Sequence, residues 1–349
     1  MRPSRPGLAK IFLLALLAIL PPLRATPARP APALLGLNIA HWFRYPYNPS
    51  PAAMERYLSR PDLRRIGRAG YAYIRIPVDP ALVASPGGLA SLVAALRRAS
   101  AAGLTVIVAP TQNGWKLERD PAPLIAFWHR VAPALRGLDQ RRIVPETLNE
   151  PVFAGQEARW NALQDRVVAI IRAALPRATI LVTGPDWSGM NGLAKLQPPR
   201  DARLALDVHD YEPALLTSLG AFDPALDHAA LARLPFPVTD AARCALAARS
   251  TADAQTQAVI RYYCATRPDA RGIGAGIAKA ASWARAHRMK LILGEYGASR
   301  RLNPRARANW LAAIRAACAR QHAVALLWAL DDPMGLNLHP PLPRRIEPE

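Results

Sequence analysis

Eight short apolar runs, most of them with a helical pattern between, constrain this chain more than any other feature. They are Leu34–Ala40, Ala72–Pro77, Leu104–Ala109, Arg142–Leu148, Ala178–Thr183, Arg203–Val208, Lys290–Gly294 and Ala323–Ala329. Each is continuous rather than alternating and rich in branched side chains, as strands buried on both faces are. Helical patterns lie between them at Gly88–Ala101, Leu124–Leu135, Glu157–Leu175, Gly274–Arg288 and Pro304–Arg320. Strand–helix alternation at this length predicts an α/β fold, a (β/α)8 barrel. A doubly wound open sheet is the competing architecture. No Gly-x-Gly-x-x-Gly follows the first run, so that fold's dinucleotide signature is missing.

Two departures from a regular barrel are expected. After strand six, residues from about 212 to 272 form an insertion far longer than an ordinary strand-to-helix loop. Such loops build the active-site face, so the insertion should wall or cover a cleft. After strand eight only Leu330 to Glu349 remain, with Pro333, Pro340, Pro341 and Pro343 among them. The last helix is therefore expected to be short or missing.

The N-terminus reads differently from the rest. Arg2, Arg5 and Lys10 precede an unbroken apolar stretch from Ile11 to Leu20, then Pro21, Pro22 and small residues. This is the pattern of a secretory signal peptide over 1–25, followed by a Pro/Ala-rich linker over 26–33 and a barrel domain over 34–349. The apolar run is short for a bilayer span, and an uncleaved anchor is the alternative. No stable membrane span is expected later, and the expected location is secreted or periplasmic. The formal charge is +20, or 20 − 4 = +16 without Arg2, Arg5, Lys10 and Arg24. In a cytosolic chain that balance would point to nucleic acid. Here the export pattern and the scatter of the arginines argue against it. An acidic polysaccharide or an anionic envelope suits the charge better. Three cysteines occur: Cys244 and Cys264 in the insertion, where a bridge is possible, and Cys318 in a helical pattern, read as a buried thiol. No Cys/His cluster has metal-ligand spacing.

The chemistry lies in Thr147-Leu148-Asn149-Glu150-Pro151 and Leu293-Gly294-Glu295-Tyr296-Gly297. Each places one glutamate directly after a strand-like run. A carboxylate there is costly to desolvate unless it is paired or used. Two of them, on strands far apart in sequence, are what cleavage of a glycosidic acetal requires. One protonates the leaving oxygen, and the other stabilises or attacks the anomeric carbon. Asn38 and His41 end strand one, Arg75 sits on strand two, His209 and Tyr211 end strand six, and Trp328 lies on strand eight. All fall at the C-terminal strand ends, where a barrel places its active site.

In this order the residues resemble the family 5 glycoside hydrolases, the cellulase-like branch of the retaining (β/α)8 glycosidases. The resemblance runs from about Leu35 to about Leu336 and is strongest at Glu146-Thr147-Leu148-Asn149-Glu150-Pro151. It continues through Trp160-Asn161, Asp186-Trp187, His209-Asp210-Tyr211 and Gly294-Glu295-Tyr296-Gly297. It implies that Glu150 is the acid/base and Glu295 the nucleophile, with carboxyls about 5–5.5 Å apart. Arg75 and Tyr211 are then the partners that keep Glu295 ionised. The charge of Glu295 is expected to raise the Glu150 pKa. Asn149 would donate to the sugar 2-hydroxyl, His209 would sit beside the acid/base, and Trp328 would floor the sugar at the cleavage point.

Structural readings stand beside these. Arg75 could pair only with Glu146, Trp328 could be core, and His41 could pack rather than touch substrate. Trp42, Trp115 and Trp187 fit outer subsites or simple packing. One departure from the family is clear: Val106 to Asn113 holds no histidine after strand three, leaving Thr111 or Gln112 to replace its hydrogen bond. The sequence thus predicts a retaining glycosidase for β-linked oligo- or polysaccharide, β-1,4-glucan first, with mannan and exopolysaccharide next. It needs no cofactor or metal, because both reactive groups are side chains. A catalytically silent carbohydrate-binding barrel and a transglycosylase are the rival readings.

Overall fold

The computed structural model describes residues 34–112 and 114–347. The expected signal peptide and linker lie outside the described residues. The eight strands are β1 (Leu34–Asn38), β2 (Tyr71–Val78), β3 (Thr105–Pro110), β4 (Ile143–Pro145), β5 (Ile180–Thr183), β6 (Leu204–His209), β7 (Lys290–Tyr296) and β8 (Val324–Leu327). All pairings are parallel, in the order β4-β3-β2-β1-β8-β7-β6-β5. A parallel bridge between Glu146 and Leu181 joins β4 to β5 and closes the barrel.

The main helices are α1 (Arg60–Arg68), α2 (Gly88–Ala101), α3 (Ala122–Ala134), α4 (Glu157–Ala174), α5 (Ala254–Thr266), α6 (Ala270–Ala286) and α7 (Pro304–Arg320). Their starts follow local chemistry. Ser59 and Asp62 form a reciprocal capping box at α1, and Asn303 caps α7 with Pro304 in its first turn. Helix α6 begins at Ala270, earlier than its apolar pattern suggests, because Asp269 accepts hydrogen bonds from the amides of Arg271 and Gly272. Among the described residues no helix follows β8, as the prolines there led one to expect, and a 3₁₀ turn (Met190–Lys195) stands where a helix would follow β5.

Strand ends differ from the sequence reading for identifiable reasons. Strand β1 stops at Asn38 because Ala40–Phe43 turn into a short helix, whose Ala40 and His41 amides donate to Asp331 at 2.9 Å each. Strand β4 is only three residues long. Pro145 has no N–H to donate, and beyond Glu146 the chain bends toward Glu150. Trp328 lies just past β8 rather than on it, and its peptide bond to Ala329 is cis.

Side chains alternate along each strand, so every second residue points into the barrel. Tyr73, Ile107, Val144, Leu181, Ala205, Ile292, Val324 and Leu326 make one apolar cluster there. Two residues further along β2 and β6, and just past β4, come Arg75, Asp207 and Glu146, each fully buried. Contributions from alternate strands are the layering rule of this barrel. Here the upper layer is charged, and it supports the C-terminal mouth.

The insertion is structured and docks on α7. Asn309 Nδ2 donates to the Phe236 carbonyl (2.9 Å), the Asn303 amide to that of Ala232 (2.8 Å) and Trp310 Nε1 to that of Glu212 (3.0 Å). Cys244 and Cys264 are bridged with Cα atoms 5.6 Å apart, tying the short helix Ala241–Ala245 to α5. Cys318 is a buried thiol, and burial pushes its pKa up to about 12. Denatured, unreduced protein is therefore expected to show one reactive thiol by titration; three would contradict the bridge. A 20-residue loop of this kind stabilises a fold by about 3 kcal/mol in the chain-entropy picture. No helix among the described residues is long and apolar enough to cross a membrane.

Candidate active site

Arg75 organises the site. It is fully buried, and all five of its N–H groups find acceptors. Nε and Nη2 form a fork on Glu146 at 2.7 Å each, and Nη1 donates to Glu295 Oε1 at 2.6 Å. The remaining two donate to Asn38 Oδ1 (3.0 Å) and Asn149 Oδ1 (2.7 Å). Burial alone would lower the Arg75 pKa, but Glu146 and Glu295 outweigh it and hold the guanidinium charged. Burial also lifts Glu146 to about 7, against the pull of Arg75. The sequence allowed Arg75 to pair with Glu146 or to serve Glu295; it does both.

This arrangement fixes two amides. Asn38 is fully buried, and its Nδ2 donates to the Gly294 carbonyl at 2.8 Å, so it braces the strand that carries Glu295. Because Asn149 gives its oxygen to Arg75, its Nδ2 is the end left for the cleft it lines. That is the donor the sequence assigned to a sugar hydroxyl.

Glu295 is the last residue but one of β7, at 4% exposure. Its second oxygen accepts from the Tyr211 hydroxyl at 2.9 Å, so each oxygen has a donor. Burial raises the Tyr211 pKa, and the charges of Glu295 and Glu150 raise it further, so the phenol keeps its proton. Glu150 faces Glu295 from the turn after β4, with φ at +46°. A non-glycine residue in the left-handed region costs about 1–3 kcal/mol and persists where surrounding structure enforces it, often at functional sites. A carboxylate oxygen of each glutamate and one nitrogen of His209 lie within 4.8 Å of one another.

His209 Nδ1 is 2.8 Å from Glu150 Oε1, as expected of a residue beside the acid/base. On its far side Nε2 is 3.2 Å from Asp207 Oδ2, a partner the sequence reading missed. The signal was there: Asp207 is two residues before His209 on one strand, hence on the same face. Burial would lower the His209 pKa, but Glu295, Asp207 and the two hydrogen bonds drive it well above the ordinary histidine range. For Glu150, burial raises the pKa. The hydrogen bond and charge of His209, then Arg75 and Arg44, outweigh it, and the net direction is down. This corrects the expectation that Glu295 would raise it. A cationic imidazole in contact outweighs a more distant carboxylate.

The cleft consists of two hollows meeting at Glu150 and Trp187. Arg44, Asp79, Thr111 and Gln112 line one; Met190, Tyr211, Phe236, Ile273 and Lys279 line part of the other. Trp187 is 59% exposed with φ at +51°, an apolar plate held up into the cleft. Phe236 and Pro268 bring the insertion to the second hollow. Trp328 is 9% exposed and packs with Ala40, Ala329 and Tyr211, with the Arg44 guanidinium 5.4 Å from its ring centre. His41 is not with this group. Its Nδ1 lies 2.8 Å from the Tyr45 carbonyl and its ring stacks on Tyr47 at 4.5 Å. Thr111 donates to the Val78 carbonyl and Gln112 to that of Glu150, so both serve the backbone of the cleft wall. The carboxylates around His209 are close enough to one another for a cation. Those of Glu146 and Glu295 already hold Arg75, and His209 has a carboxylate at each nitrogen.

Residues 42–333 match the Cellulase family, glycosyl hydrolase family 5. The chain belongs to that family. Endoglucanase 3 of Fibrobacter succinogenes is 27% identical over 200 residues, which are 55% of this chain and 30% of that protein. Cellodextrinase A of Ruminococcus flavefaciens is 22% identical over 205 residues, 53% of this chain and 60% of that protein. The chain thus spans less than two thirds of these relatives. Among solved structures, an endoglucanase from the hyperthermophilic Thermotoga maritima superposes with a TM-score of 0.68 at 18% identity, covering 86% of this chain and 91% of that one. A cellulose synthase subunit Z from Clostridioides difficile gives 0.68 at 18% identity, covering 87% and 93%. At those identities the likeness is one of fold, and it supports the (β/α)8 barrel.

Proposed function

We propose that this protein is an exported, retaining glycoside hydrolase acting on β-linked glucan. The observation that carries the reading is the pair Glu150 and Glu295. Their carboxylates approach within 4.8 Å across a cleft, and each is held by different partners. That separation suits direct attack by one carboxylate and leaves too little room for the interposed water of an inverting enzyme. Glu295, flanked by Arg75 and Tyr211, attacks the anomeric carbon. Glu150, whose side chain is 23% exposed, protonates the leaving oxygen and later activates water. Asn149 Nδ2 donates to the 2-hydroxyl, and Trp187 and Trp328 offer apolar faces to the sugar rings. The glucan preference follows the names of the relatives, an endoglucanase and a cellodextrinase. Export follows the leader pattern of Arg2 to Leu20, and the Cys244–Cys264 bridge suits an oxidising destination. A silent binding barrel would need the two glutamates splayed or covered; their approach within 4.8 Å and the partial exposure of Glu150 favour the hydrolase reading.

The test is cleavage of defined β-glucan and β-mannan oligosaccharides, with the anomer of the first product read by proton NMR. Release of the β-anomer ahead of mutarotation is expected. Initial release of the α-anomer would replace retention with inversion. Tight binding without cleavage of any member would establish the silent barrel instead.

A further inference from the structure

Asp207 has no role in the reaction as described above, yet its setting is specific. It is fully buried inside the barrel, and its Oδ1 has no hydrogen-bond partner among the described residues. Gly294 makes room for it, since a methyl group there would overlap the Asp207 carboxylate. Arg75 has already committed all five N–H groups elsewhere. Among the described residues, the one hydrogen bond its carboxylate makes is between Oδ2 and His209 Nε2.

The His209 ring therefore lies between two carboxylates, Glu150 on Nδ1 and Asp207 on Nε2. Two N···O contacts need two hydrogens, and a neutral imidazole carries one. The second proton sits either on the ring or on a carboxyl. The surroundings decide between these. From β7, Glu295 Oε2 is 3.7 Å from Nδ1. From β4, Glu146 gathers with Asp207 and His209 within 4.8 Å. Arg75 on β2 is the cation bonded within this group, Arg44 is a second guanidinium whose charge reaches Glu150, and the Tyr211 hydroxyl is the neutral titratable member. Four carboxyl groups against two guanidiniums leave a place for a further cation, and His209, with a carboxylate at each nitrogen, is the group positioned to be it.

We propose that Asp207 is a positioning residue for the acid/base. It holds the mobile proton on His209 between turnovers, so that the proton-donating unit is the chain Asp207–His209–Glu150 rather than Glu150 alone. Its role in turnover rests on the glycosidase reading above. The protons balance. In the first step Glu150 takes the proton from His209 Nδ1 and passes it to the leaving oxygen, ending ionised, while the glycosidic bond breaks and the Glu295–sugar ester forms. His209 is then neutral, its remaining hydrogen on Nε2 facing Asp207. In the second step water loses a proton to Glu150, which returns it to His209 as the ester is hydrolysed. The pair titrates as a unit, so activity reports one shared proton.

Asp207→Asn is the informative variant. Asparagine has the same shape, and its oxygen still accepts from Nε2–H, but the charge is gone. For a substrate whose leaving group needs protonation, the basic limb of kcat/KM should move to lower pH by about one unit or more, a tenfold loss per unit on that side. For a dinitrophenyl β-glycoside, whose departure needs no acid, the limb should stay. A uniform fall in kcat/KM with the limb unmoved, or an equal shift for both substrates, would reduce Asp207 to a structural role and overturn the proposal. Nitrogen-15 NMR of the wild-type imidazoles needs neither turnover nor a folded variant. With seven histidines in the chain, His209 can be assigned by its loss in His209→Gln. Both of its nitrogens should be protonated at neutral pH. A singly protonated ring there would also overturn the proposal, whether or not the protein proves to be a glycosidase.

Discussion

Glu295→Ala is expected to lose turnover on every substrate, activated aryl glycosides included, by about 10⁵-fold or more, the scale on which removing an enzyme nucleophile acts. The reason lies in its setting. Each Glu295 oxygen already has a donor, Arg75 on one and Tyr211 on the other, which fixes the carboxylate and stabilises its charge. No other carboxylate can take its place. Glu146 is sealed beneath it on Arg75, Asp207 lies below His209, and Glu150 has its own task. The variant also frees Arg75 Nη1 from its ion pair, so a folding control by circular dichroism belongs with the assay. Added azide should restore slow cleavage of an activated β-glycoside by entering the vacated space, giving a glycosyl azide of inverted configuration. Measurable hydrolysis of an unactivated glucan by Glu295→Ala would remove Glu295 from the nucleophile's role.

The layered interior explains how much of this site was legible in the sequence. Glu295 and His209 stand at strand ends and Tyr211 and Glu150 in the turns that follow, while Arg75, though inside β2, carries a charge that calls for a carboxylate partner. Strands that are short and apolar make their ends easy to place. Once the barrel is assumed, a polar residue at a strand end has few places to go. Asp207 was missed for the opposite reason. It lies within β6 and looks like an interruption of an apolar run, and only the pairing of alternate strands turns it into the floor beneath His209. The direction of the Glu150 pKa was misjudged because it depends on which neighbour is in contact. A sequence orders residues along strands but does not say that imidazole lies 2.8 Å from one carboxylate. His41 shows the limit at strand ends: two amides captured by Asp331 end β1 early and turn the chain into a short helix. Nothing near Leu34–Ala40 in sequence announces a partner nearly 300 residues away.

Glu150→Ala is expected to separate the two steps of the reaction. On a glucan, whose leaving group must be protonated, kcat/KM should fall by roughly 10²–10⁴-fold, the usual worth of a positioned general acid. On a dinitrophenyl β-glycoside the first step needs no acid and should proceed. The second step then lacks a base to activate water, so glycosyl-enzyme accumulates and KM falls with kcat. Azide needs no deprotonation to attack. It should therefore restore turnover and give a glycosyl azide of retained configuration, the opposite of the product from Glu295→Ala. That contrast assigns the two carboxylates without relying on rate alone. If Glu150→Ala cleaved glucan at the wild-type rate, the acid/base would have to be another group. Glu146 is an unsuitable substitute, since it has no exposure and both oxygens accept from Arg75. The imidazolium of His209, 2.8 Å from the space that Glu150 leaves, would be the remaining donor, and its own removal would be the next measurement.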